Sequence, residues 1–204
     1  MSENYHLEEL RVATDPLHPS HQLPPAAPPG AHILDVGCGA GQTMIAAYPN
    51  RVCFGLDRDL SALQLGRSLT GDVRFVCGAA ESLPYRAQEF DLVIARVSLA
   101  YTDISASLGE IRRVLRKDGM LWMTLHSFSQ VWKQARKANR RGRLFFAYVV
   151  ANGLLFHFLQ RQFSMFGRQE SFQTERGIVR ALRRAGFRDI RVERGAHFRV
   201  TARV

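Results

Sequence analysis

Asp35-Val36-Gly37-Cys38-Gly39-Ala40-Gly41 follows the apolar run Ile33-Leu34 and precedes a helix-like run from Thr43 to Tyr48. An acid at a strand end followed by a glycine-rich turn suits a nucleoside-containing cofactor. Glycines accept φ > 0 and carry no Cβ to hold a ligand off the backbone, and the helix that follows offers unpaired amide N–H groups. A dinucleotide fold asks for G-x-G-x-x-G, whereas this chain has Gln42 where the last glycine would fall, which argues against NAD. A second β-like run, Arg51 to Leu56, leads to Asp57, an acid placed to accept both hydroxyls of a ribose.

Outward from this turn, apolar runs alternate with helical patterns from Ile33 to Leu125, the signature of βαβ units around a parallel sheet buried on both faces. The patterns predict strands near 32–36, 52–56, 73–77, 90–95 and 119–125, and helices near 41–48, 59–69 and 104–116. Asp35, Asp57, the 78–81 turn, Arg96 and His126 all fall at the carboxyl ends of strands, where open sheets of this kind bind ligands.

The motifs downstream keep the same order. Phe75 to Tyr85 (FVCGAAESLPY), Phe90-Asp91-Leu92-Val93-Ile94-Ala95 and Ile111 to Leu121 (IRRVLRKDGML), with the glycine turn and Gly55-Leu56-Asp57, resemble the class I S-adenosylmethionine-dependent methyltransferases. The resemblance is close over about residues 31–126 and looser over 172–204. It favours the quinone-biosynthesis and small-molecule branch. It implies an α/β fold: a Rossmann-like doubly wound seven-stranded sheet, mostly parallel with antiparallel closing, plus a helical cap insertion. It implies S-adenosyl-L-methionine as cofactor, held by Asp35, Gly37, Cys38, Gly39, Gly41, Asp57, Arg58, Ala79, Ala80, Glu81 and Arg96. Many relatives carry an acid before the Ala-Glu pair to bond the adenine amino group. Here that position is Ala79, which leaves backbone amides around Ala80 and Glu81, with packing from Arg58 and Leu60, to hold the base.

The length suits one domain, divided into an N-terminal arm (1–30), a cofactor-binding core (31–127), a helical cap (128–171) and a closing helix and strands (172–204). The arm holds a short helix-like piece, His6 to Val12, and a proline-rich run. In the family such arms often lie over the cofactor, which makes Tyr5, His6 and His21 candidates to close the site. Cys38, Cys53 and Cys77 fit neither a zinc spacing nor a disulfide framework, and the polar first residues are the reverse of a secretory leader. A cytoplasmic protein with reduced thiols and no metal is expected.

Charge is unevenly distributed: residues 1–127 hold 11 Lys/Arg against 14 Asp/Glu, and residues 128–204 hold 17 against 4. The basic run from Lys133 to Arg143 precedes the apolar run Leu144 to Leu159 (LFFAYVVANGLLFHFL), which falls short of the roughly 20 residues that span a bilayer. A helix apolar all round is ordinarily buried, so a cap helix packed on the sheet is the simplest expectation. The functional alternative is a cap that covers the acceptor and rests on an anionic membrane. After it, Thr174 reads as the N-cap of a helix over 175–185 ending at Gly186, followed by strands over 189–193 and 197–204.

Methyl transfer from a sulfonium is an in-line displacement, so alignment and exclusion of water dominate and a base is needed only where the acceptor must lose a proton. His126 is the first candidate base, then Tyr101 and His157. Ala95-Arg96-Val97-Ser98 stands where nucleobase and glutamine amino-methyltransferases carry Asn-Pro-Pro-Tyr, which disfavours that route; Arg96 is expected to frame the methionine end of the cofactor or orient an anionic substrate. The leading expectation is methylation of a small, apolar acceptor such as a quinone, lipid or secondary metabolite. Two alternatives stay open: an RNA methyltransferase using the basic C-terminal third, and a cofactor-binding protein without catalysis.

Overall fold

The computed structural model describes residues 3–18, 20–125, 131–132, 135–136, 139–165, 169–194 and 198–204, with Arg140 and Arg141 as backbone only. Helix α1 (Glu3–Thr14) opens the chain, followed by β1 (Ile33–Val36), α2 (Gln42–Ala47), β2 (Cys53–Asp57), α3 (Leu60–Leu69), β3 (Val73–Cys77) and β4 (Phe90–Arg96). A 3-10 turn (Ser98–Tyr101), α4 (Ile104–Val114), β5 (Leu115–Leu125), α5 (Arg140–Leu159), α6 (Glu175–Arg184), β6 (Arg188–Glu193) and β7 (Phe198–Arg203) complete it.

The seven strands form one sheet in the order β3-β2-β1-β4-β5-β7-β6. The first five run parallel, and β7 pairs antiparallel with both β5 and β6. The order reverses between β1 and β4, so their carboxyl ends form the switch-point crevice of a doubly wound sheet. All four residues of β1 are buried, as expected for a central strand covered on both faces.

Element positions follow the expectations closely, with two physical differences. Strand β5 begins at Leu115 rather than 119, because Leu115 already pairs with Phe90 before a register shift brings Met120 opposite Leu92. Asp118, at φ +64°, lies in the intervening irregularity. Helix α1 runs two residues beyond the expected His6–Val12 at its C-terminal end and starts three residues earlier. The Thr174 cap holds: its side chain accepts from Gly177 N, and Gly186 at φ +88° closes α6 with Phe187 N donating to Leu182 O.

Helix α5 departs from the expected all-round burial. Its inner side packs Tyr148, Val149, Asn152 and Phe156 against the domain, while Leu144, Leu154 and Phe158 are 73%, 47% and 66% exposed. The stretch Gly142–Leu159 is long and apolar enough to cross a membrane, yet 28% of it is buried within the protein. The two polar interruptions have structural reasons. Gly153 admits the Phe172 ring, whose Cδ1 would stand 2.2 Å from an added Cβ. Asn152, fully buried, donates to Phe163 O (3.2 Å) and Glu170 O (2.9 Å) and accepts from Phe163 N (3.0 Å), so it clamps the segment after the helix onto the helix.

Candidate cofactor and acceptor site

The glycine turn crosses from β1 towards β2, with Gly37 N (2.7 Å) and Cys38 N (3.0 Å) both donating to Leu56 O. Gly37, Gly39 and Gly41 have φ of +77°, +55° and +82°, the left-handed region that glycine enters without Cβ strain. At Gly37 space is as restrictive as conformation: an added Cβ would lie 2.2 Å from Ser98 Cβ. Ser98 is fixed there because its hydroxyl donates to Val36 O at 2.5 Å, and the preceding Val97 turns the chain at φ +62° while its N–H donates to Thr124.

Asp57 ends β2 with both carboxylate oxygens on backbone amides: Oδ2 accepts from Gly39 N (2.7 Å) and Oδ1 from Asp59 N (2.9 Å). This acid therefore shapes the turn it faces, and each oxygen retains a further lone pair for a ligand hydroxyl. Arg58 beside it is exposed. Asp59 then caps α3 through Ser61 N and Ala62 N. On the next strand end, Gly78 N donates to Asp57 O, and Ala79 bridges to Ser82. Ala80 is buried in the main apolar cluster, so only its backbone is available to a base, and the Glu81 carboxylate accepts from Asp103 N (3.0 Å) at the start of α4.

The arm folds back over this crevice. His6 is 2% exposed and meets Gln42 Nε2 through its ring Nδ1 (3.0 Å) and its carbonyl (3.2 Å). Gln42 thus occupies the position of the missing sixth glycine and uses its side chain to hold α1. Glu9 accepts from Arg96 at 2.5 Å, tying α1 to the end of β4. His21, by contrast, bonds Val12 O within the arm. A cavity of about 280 Å3 lined by Glu3, His6, Ser61 and Leu65 lies between α1 and α3. Tyr101 stands where arm and cap converge: Ser171 N donates to Ala100 O beside it, and burial, Glu170 and Tyr5 push its phenol up to about 12. At neutral pH it keeps its proton and can donate a hydrogen bond. His157 bonds the Thr174 hydroxyl (2.6 Å) where α5 meets α6, a capping environment rather than the strand ends. His126 lies outside the described residues. Glu9, Gln42 and Ser98 are site residues that sequence reasoning missed.

Six buried polar side-chain atoms lack a hydrogen-bond partner among the described residues, and three of them are His6 Nε2 and the two carboxylate oxygens of Asp35. Leaving such groups unpaired costs about 1–3 kcal/mol each, and these three flank the glycine turn, Asp35 from β1 and His6 from α1 beside Gly39, which makes the turn the candidate ligand site. A cationic ligand group fits Asp35 in particular. With no partner to stabilise its charge, burial raises the Asp35 carboxyl to about 7, Arg96 opposing and Asp57 adding to the shift.

The sign of the linkage follows from a raised folded-state value in an acid. The folded protein binds the extra proton between about pH 4 and 7, so this group's contribution to stability falls as pH rises through that window and is constant above it. A shift of that size corresponds to about 4 kcal/mol. Asp35→Asn is therefore expected to be more stable than the parent at pH 8 by an amount of that order, with the gap closing towards pH 4, in urea melts across pH. Cofactor affinity of the parent, unlike that of Asp35→Asn, should rise as pH passes 7.

Comparison with known proteins agrees with this geometry. Residues 34–123 match the model of a family described as a methyltransferase domain. The uncharacterized methyltransferase YcgJ of Bacillus subtilis is 33% identical over 101 residues, covering 46% of this chain and 40% of that protein. Nocamycin O-methyltransferase of Saccharothrix syringae is 35% identical over 108 residues, covering 47% and 38%. A solved SAM-dependent methyltransferase from Methanosarcina mazei superposes with a TM-score of 0.63 at 19% identity, covering 87% of this chain and 93% of that one, a likeness of fold. Residues 34–123 thus match a methyltransferase domain, and the sheet that contains them has the fold of solved SAM-dependent methyltransferases. The chain spans about half the length, or less, of the curated relatives it matches first.

Proposed function

We propose that the protein transfers a methyl group from S-adenosyl-L-methionine to a small, apolar acceptor held between the strand ends and the cap. The observation that carries this reading is the cap itself. Asn152 clamps Phe163 and Glu170 onto α5, and Ser171 then bonds Ala100, which brings an apolar and aromatic cluster of Tyr148, Val149 and Phe172 beside the 3-10 turn after β4. The activity of nocamycin O-methyltransferase, as its name states it, supports a small-molecule acceptor for a domain of this kind.

S-adenosylmethionine supplies an electrophilic methyl on a sulfonium. The residues assigned to hold it are Asp57 for the ribose, the backbone of Gly37 to Gly41 for the methionine end, Asp35 for positive charge and Arg58 with the 79–81 turn around the base. The protein's part in the chemistry is alignment and exclusion of water, with the cap and α1 as the two covers. Tyr101 is assigned as a hydrogen-bond donor that orients the acceptor.

Incubating the protein with methyl-labelled cofactor and a panel of phenols, quinols and lipid extracts, with RNA in parallel, tests the reading. Label in the organic phase is the expected result; label confined to RNA would replace it with the nucleic-acid reading.

The arm enters the same reading as a latch. His6 on Gln42 and Glu9 on Arg96 hold α1 across the glycine turn and the end of β4, so the cofactor is expected to enter with α1 displaced. Glu9→Gln removes the partly buried ion pair with Arg96. Amide exchange of α1 should then accelerate by about tenfold, the equivalent of one charge-assisted bond, with β1 and β4 unchanged.

A further inference from the structure

We infer that the outer face of α5 is a docking surface for an anionic lipid membrane. Leu144, Ala147, Ala151, Leu154 and Phe158 recur at spacings of three, four, three and four residues, which aligns them along one side of the helix, and all are exposed. The opposite side of the same helix is buried through Val149, Asn152 and Phe156. The helix is therefore amphipathic in an unusual sense, with two apolar faces, one for the domain and one unpartnered among the described residues.

Charge selects the occupant. Residues 128–169 contain eight Lys/Arg and no Asp/Glu. Arg143 near the start of α5 and Arg161 just past its end, both exposed, bracket the stripe, with about 24 Å of helix from Arg143 to Leu159, which suits a helix lying in the plane of a surface with a cation at each end. Arg180 adds to the C-terminal end by donating to His157 O and Phe158 O. A second copy of the chain fits poorly, because laying the stripe on its twin sets arginine against arginine in either orientation. An RNA strand would make use of the cations but would find a single aromatic face, Phe158, in a stripe otherwise aliphatic, whereas sequence-tolerant binding stacks successive bases on several. A spanning orientation fits less well, because Tyr148, Val149, Asn152 and Phe156 are buried on the inner face and tie α5 to the domain. Apolar side chains entering the headgroup boundary, with arginines on lipid phosphates, satisfy both features.

Flotation of the full-length protein with phosphatidylcholine vesicles, with and without phosphatidylglycerol, tests this without recourse to activity. The protein should float with the anionic vesicles and remain behind with the neutral ones. Leu154→Asp with Phe158→Asp should lower vesicle affinity at least tenfold while leaving the thermal midpoint in place, because both side chains are exposed. Arg143→Gln and Arg161→Gln should each weaken binding to phosphatidylglycerol vesicles about fivefold and together about 25-fold. The inference is overturned if the parent does not float, floats equally with both vesicles, or keeps full affinity in the doubly acidic variant. It is equally overturned if the stripe instead mediates self-association in sedimentation, or if RNA binds with higher affinity than the vesicles and the acidic variant abolishes that binding.

Discussion

Asp57→Ala is expected to lower affinity for S-adenosylmethionine by about a hundredfold or more in titration calorimetry, with the protein still folded. Two effects combine. The carboxylate is the ribose acceptor in the site proposed here, and it also fixes the turn by accepting from Gly39 N and Asp59 N. Hydrogen bonds to a charged group contribute about 1.5–3 kcal/mol each, so losing the ribose contacts and loosening the turn together amount to about 3 kcal/mol at the least. Asp57→Asn is the milder change, because its one amide oxygen can still accept from Gly39 N while the NH2 group cannot accept from Asp59 N and the charge is gone. It should keep part of the turn and fall between the parent and Asp57→Ala in affinity. Equal affinity in the parent and both variants would remove Asp57 from the site.

Gly37→Ala is expected to destabilise the fold by about 3 kcal/mol or more. An alanine at φ +77° enters the left-handed region at a cost of about 1–2 kcal/mol. Its Cβ would also stand 2.2 Å from Ser98 Cβ and 2.9 Å from Ser98 Oγ, so Ser98 must move and its bond to Val36 O is lost. That bond contributes about 1 kcal/mol. Ser98→Gly introduced with Gly37→Ala should recover the steric part alone and leave the conformational part, giving a double variant between the parent and Gly37→Ala in urea melts. A Gly37→Ala protein as stable as its parent would contradict the packing described at the turn.

The cofactor half of the fold was legible in the sequence because its signals are local. The acid and glycines of one turn lie within Asp35 to Gly41, Asp57 ends the next strand, and each βα unit announces itself by a change of period. The reason Gly37 tolerates no side chain was not legible, since Ser98 meets it from the far side of β4. The same holds for the arm. Nothing local connects Glu9 to Arg96 or His6 to Gln42, and the missing sixth glycine read as a departure when its replacement has a partner in α1.

The cap was the least legible part. Its run is apolar on every side, so periodicity alone could not tell the face that Phe172 and Asn152 anchor from the face left outside. Gly153 and Asn152 looked like interruptions of an apolar helix; one admits a ring and the other ties down the chain that follows. His157 carried the chemistry of a base in sequence and the contacts of a structural residue in the fold, because the Thr174 hydroxyl that engages it comes from the next helix.

Everything proposed for the acceptor and the latch depends on the turn from Asp35 to Gly41 binding S-adenosylmethionine. Calorimetric titration of the folded parent protein with S-adenosylmethionine, S-adenosylhomocysteine and NAD tests this most directly. The account predicts one site for the two adenosyl-sulfur compounds and no heat with NAD. Absence of binding by S-adenosylmethionine to the folded protein, or binding of NAD in its place, would contradict it.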